Sequence, residues 1–137
     1  MNMSFHEKSL WLTLVGLLVA FGWYFLEVLP AASADLLPSQ VSAFVLAVAF
    51  LVITEVVGHV VIATVDRRPE SDERDRLIHL HGVRNGAYVL AAGVFLSLCT
   101  AVLTHGNFDF ANVLLGSWVL SQVVETGSQL ALHRRGA

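Results

Sequence analysis

Charge is scarce in this chain, and cysteine is almost absent. Charged residues fill 14% of its 137 positions, against about 25% in an ordinary soluble domain, which is too few to cover a water-facing surface. A single cysteine, Cys99, excludes a disulfide scaffold. Three prolines and ten glycines exclude a collagen-like or low-complexity chain. The net charge is −3 and no basic face is evident, so a nucleic-acid partner is not expected. Signatures of catalysis are missing as well: there is no G-x-S-x-G, no P-loop, no H-E-x-x-H and no C-x-x-C. No catalytic residue is assigned, and the chain is not read as an enzyme.

What the chain has is apolar sequence. Hydrophobic residues make up 55% of it, and its mean hydropathy is +0.68. Four stretches, residues 10–29, 41–65, 87–103 and 110–132, are long enough to cross hydrocarbon, which takes roughly 20 helical residues. Helices are the open-chain solution because backbone N–H and C=O groups find no water in lipid. Runs such as Phe44-Val45-Leu46-Ala47-Val48 do not alternate as barrel strands do. The expected fold is therefore all-α: one polytopic membrane domain, a bundle of four transmembrane helices.

Basic residues orient it. Lys8 precedes the first span, Arg67, Arg68, Arg74, Arg76 and Arg84 lie between the second and third, and Arg134 and Arg135 follow the fourth. All eight fall on one side, which the positive-inside bias makes cytoplasmic, with both termini inside. The first partner is therefore the lipid bilayer. Lys8, the apolar run and Ala32-Ser33-Ala34 together imitate a signal peptide. The run exceeds the about 7–15 residues of such a core and contains Glu27, so it is read as a retained span.

The inner loop, 66–86, is the one charged segment. Ser71 can cap a helix, with Asp72 and Glu73 at the positive end of its dipole. The pairs Glu70/Arg74 and Asp72/Arg76 have i,i+4 spacing. A short interfacial helix is expected here, carrying Leu77, Ile78, Leu80 and Val83 on the membrane surface, with a turn into the third span near Gly86. Segments 54–68 and 121–135 align without gaps, with four of fifteen positions identical. A duplicated helical hairpin would explain this, and so would chance similarity among apolar residues.

Ionisable groups inside hydrocarbon cost about 2.5–3.5 kcal/mol each at a helix centre, so they are the informative positions. The second span carries Glu55 and His59, i,i+4 and on one face. The fourth carries Gln122, Glu125, Thr126 and Gln129 as a polar stripe. Their depths agree: Glu55 and Gln122 lie about 15 Å above the inner ends of their spans, and His59 and Glu125 about 10 Å. If the second and fourth spans face each other, Glu125 meets His59 and Glu55 meets Gln122, inside the bundle.

Three readings compete for this cluster. Interhelical hydrogen bonding would fix register, although such bonds average only about 0.6 kcal/mol. A proton or cation site would use Glu55, His59 and Glu125 as ligands for a divalent metal, or the whole stripe as a proton path. Haem ligation needs two axial histidines at matching depth, or one with another ligand, and His59 alone lies well inside a span. His79-Leu80-His81 reads as solvated, unless an extended loop brings it to a metal with His133. His6 sits in the N-terminal segment and His105 in the outer turn. Gly58 and Gly127 permit close helix approach, and Ala87-x-x-x-Ala91 is a small-xxx-small pattern.

The segment Asp72-Glu73-Arg74-Asp75, followed by Ile78 and Tyr88, resembles a bacterial family of small four-helix membrane proteins with a D-E-R-D loop. The resemblance covers about twenty residues and implies an inner-membrane protein with cytoplasmic termini. It assigns no activity and no site residue. Two functions are expected from different classes. One is binding or transport of a proton or metal cation at Glu55, His59, Gln122, Glu125 and Gln129. The other is a non-catalytic membrane protein, self-associating or docking a partner through Arg67, Arg68, Asp72, Glu73, Arg74, Asp75 and Arg76. Haem binding is the third option.

Overall fold

The computed structural model describes residues 5–65 and 73–135. It is all-helical, with four long helices: α1 (Phe5–Val28), α2 (Pro38–Val65), α3 (Glu73–Leu103) and α4 (Phe108–Arg135). A single 3₁₀ turn, Leu29–Ala31, ends α1. Three of these helices, α1, α2 and α3, are long and apolar enough to cross a membrane, as expected of a membrane protein. The fourth matches them in length at 28 residues. Asn112, Ser117, Ser121, Gln122, Glu125, Thr126, Ser128 and Gln129 keep it more polar.

The inner loop differs from expectation. The helix that starts at Glu73 continues without a break through Gly86 to Leu103, so no separate interfacial helix turns into the third span there. Glycine costs a helix only about 1 kcal/mol, and here it has a packing role. Gly82, Gly86 and Gly93 are buried, and a Cβ on each would collide with Gln129, Glu125 or Ser117 of α4. These glycines let α3 and α4 approach closely. The pattern Ala87-x-x-x-Ala91 lies on the exposed face instead. Ser71, Asp72, Arg67 and Arg68 lie outside the described residues.

Helix α1 packs against both α2 and α4, and α4 also packs against α3. No Cα of α2 comes within 8 Å of one in α3 or α4. The expectation that the second and fourth spans pack face to face is therefore overturned: each packs against α1 instead. Leu17, Ala20, Phe21, Tyr24, Val28, Ala47 and Phe108 form the core. Tyr24 donates a buried hydrogen bond to Asn112 Oδ1 (2.9 Å), and the Phe21 and Trp118 rings meet edge-on at 5.8 Å.

The end of the molecule distal to the termini is tied by its loops. Phe108 N donates to Ala34 O (3.0 Å), Leu36 N to Asn107 Oδ1 (2.8 Å), and Asn107 N to Asp35 Oδ1 (3.1 Å). Gly106 permits the turn at φ +84°. Gln40 Oε1 accepts the Leu37 N–H (2.9 Å), half of a capping box at the start of α2.

Candidate functional site

Glu55 and His59 lie on the flank of α2 that meets α1. The i,i+4 spacing puts both on one face, and that face finds three small residues on α1: Ser9, Thr13 and Gly16. Thr13 Oγ1 donates to Glu55 Oε2 (3.0 Å). Glu55 Oε1 is buried and has no hydrogen-bond partner. It lies against Gly16, where an added Cβ would stand 3.1 Å away. The missing side chain thus makes room for the carboxyl group.

The tautomer of a neutral His59 follows from its neighbours. Nδ1 is 2.7 Å from the backbone O of Glu55, and a carbonyl only accepts, so Nδ1 carries a hydrogen. Nε2, 2.7 Å from Ser9 Oγ, then accepts from the hydroxyl. Nδ1 is also 3.5 Å from Glu55 Oε2. In that state the one ring lone pair of His59 accepts from the Ser9 hydroxyl. Its ring is not enclosed: His59 is 39% exposed on the open flank of α2, against 23% for Glu55.

Ser9 belongs at the same time to a polar cavity of about 340 Å³ at the end of the molecule that carries the chain termini. His6, Asp75, Arg76, His79, Gln129 and His133 line it with Ser9. The Asp75 carboxylate lies between two imidazoles, 3.6 Å from His6 Nε2 and 3.9 Å from His133 Nδ1. The two rings stack at 6.5 Å. His6, read from sequence as part of the terminal segment, and His79, read as solvated, thus join His133 at one cavity, drawn together from α1, α3 and α4. Their signal was the i,i+4 spacing of Asp75 with His79 and of Gln129 with His133, which gives each helix one polar face at its end.

The fourth-helix stripe is separate from Glu55. Glu125 packs onto Gly86 of α3, where an added Cβ would lie 3.4 Å from Oε2. Among the described residues its carboxyl group has no hydrogen-bond or ionic partner, and Gln122 has none either. Gln129 is buried against Gly82. Asn85 reaches Ser128 (3.1 Å). Glu55, His59 and Glu125 therefore do not share a ligand sphere. Among the described residues no three His, Cys, Asp or Glu side chains are placed to hold one metal ion.

Of the charged segment at the start of α3, Glu73 is exposed and Arg76 faces the cavity. Arg74 extends to the last carbonyls of α4, Leu132 O (3.5 Å) and His133 O (3.4 Å), the negative end of that helix dipole. Arg74 and Asp75 are thus engaged within the chain. A second, larger cavity of about 560 Å³ near the distal end is lined by Tyr24, Phe44, Leu115 and Trp118. Of its bordering polar groups, Tyr24 and Gln40 are hydrogen-bonded to the protein.

Comparison with protein families, with curated proteins and with solved structures finds no match to this chain.

Proposed function

We propose that this is a small integral membrane protein whose four helices all cross the bilayer with both termini on the cytoplasmic side. Glu55 is its intramembrane proton-binding carboxyl, served from that side through Ser9 and His59. The observation that carries this reading is the buried, unpartnered Oε1 of Glu55. An ionised carboxylate with one oxygen unpaired in hydrocarbon is costly, and a proton taken at either oxygen discharges both.

The chain of groups supplies a route. A proton reaching His59 Nε2 through Ser9 forms an imidazolium. The Nδ1–H bond can then break toward Glu55 Oε2, 3.5 Å away, which leaves a neutral ring with its hydrogen on Nε2. Release runs the steps backwards: the Glu55 carboxyl returns its proton to Nδ1, the imidazolium loses the Nε2 proton through Ser9 to the cavity, and the ring is again protonated on Nδ1. Beyond Glu55 the interface of α1 with α2 is mainly Leu17, Ala20, Phe21, Ala47 and Leu51, and the Tyr24 hydroxyl in that core donates to Asn112 rather than toward Glu55. The arrangement fits uptake and release from one side rather than conduction across the membrane. A proton is favoured over a metal because a metal needs a third ligand that the described residues do not bring.

Infrared difference spectroscopy of the full chain in bilayers tests this. On acidification a carbonyl stretch from a carboxyl group poor in hydrogen bonds is expected, and Glu55→Gln removes it. A spectrum in which Glu55→Gln changes no protonated-carboxyl band overturns the reading.

A further inference from the structure

We propose that Glu125 is a second intramembrane proton-binding carboxyl, equivalent to Glu55, so that the cavity at the terminal end serves two protons per chain. This rests on the reading of Glu55 given above.

One spacing relates the two halves of the molecule. Helices α2 and α4 each run 28 residues and begin 70 positions apart, at Pro38 and Phe108. At the same separation stand Glu55 and Glu125, Gly16 and Gly86, and His59 and Gln129. In both halves the glutamate of the second helix lies against the glycine of the first, and its carboxyl oxygen would be met by any Cβ added there. The residue four positions on points toward the terminal end in both: His59 reaches the cavity residue Ser9, and Gln129 lines the cavity itself. The structural register is thus 70 residues, not the 67 at which segments 54–68 and 121–135 align. The 67-residue alignment matches valines and the terminal arginine pair, whereas the 70-residue spacing matches the two half-buried glutamates and the glycines they lie against.

The halves differ in two ways that have consequences. Val83 stands where the first half has Thr13, so no hydroxyl donates to Glu125 as Thr13 donates to Glu55. Gln129 stands where the first half has His59, and an amide cannot take up and pass on a proton as imidazole does. Glu125 is therefore the carboxyl with fewer hydrogen bonds and the slower exchange.

Counting carboxyl bands in the full chain tests this. Wild type is expected to show, above the band of its solvated carboxyl groups, two protonated-carboxyl stretches at the higher frequencies of groups poor in hydrogen bonds. Glu55→Gln removes the lower-frequency band and Glu125→Gln the higher, which is also the slower to shift in D₂O. Thr13→Val keeps both acids and moves the lower band up toward the other, a check that does not depend on a glutamine variant folding. One band, lost in Glu55→Gln and untouched by Glu125→Gln, overturns the second site and leaves the first standing. Bands indifferent to Glu55→Gln overturn the reading of Glu55 itself.

Discussion

The hydroxyl of Ser9 stands 2.7 Å from Nε2 of His59. This one contact joins a cavity at the terminal end of the helices to an imidazole 3.5 Å from the half-buried carboxyl group of Glu55. It also fixes the register of α1 against α2, together with the bond from Thr13 to Glu55 four residues further along α1.

Ser9→Ala removes that donor. The expected loss is about 1 kcal/mol of stability in detergent, the net value of one hydrogen bond, with slower hydrogen–deuterium exchange at the Glu55 carboxyl. Ser42→Ala removes only an exposed bond to Pro38 O, and is expected to stay within about 0.5 kcal/mol. Denaturant unfolding of both variants checks the contrast. Equal effects would show that the Ser9 bond adds nothing specific.

Glycine substitutions separate the packed face of α3 from the open faces. Gly93→Ala drives a Cβ into the Ser117 side chain, and overpacking of this kind costs about 1–3 kcal/mol. Gly22→Ala and Gly127→Ala meet nothing within 4 Å. They are expected to be neutral or to stabilise by up to about 1 kcal/mol through helix propensity. Melting temperatures of the three variants in one detergent give the answer. A Gly93→Ala variant as stable as Gly127→Ala would contradict the close approach of α3 to α4.

Tyr24→Phe keeps the ring in the core and removes its bond to Asn112 Oδ1. The amide oxygen is then left without its donor among buried groups, at a cost of about 1–3 kcal/mol. Replacing both residues, Tyr24→Phe with Asn112→Leu, is expected to recover part of that loss. A double-mutant cycle measures the coupling, and no coupling would place the bond outside the interface of α1 with α4.

Much of the architecture is legible in hydropathy, because a span is a property of composition over some twenty residues. The second, third and fourth stretches end close to where α2, α3 and α4 end. Neighbour relations are not legible in this way. Nothing in the periodicity of α2 says whether Glu55 faces α4 or α1; the choice depends on where small residues leave room, and Gly16 provides it. The same limit hid the role of Gly86, which sequence reads as a turn and packing uses as a contact surface for Glu125. Around Asp75 the sequence predicts a short helix on the membrane surface, because such a helix and the charged end of a long span share composition. Only the convergence of three helix ends makes His6, Asp75 and His133 neighbours.

The most direct test of the central claim is the side from which Glu55 exchanges its proton. In oriented proteoliposomes with separately buffered interior and exterior, the infrared band of the Glu55 carboxyl should follow the pH on the side of the termini alone, and His59→Phe should slow that response. A band that follows the pH on the side of the distal loops would contradict the account.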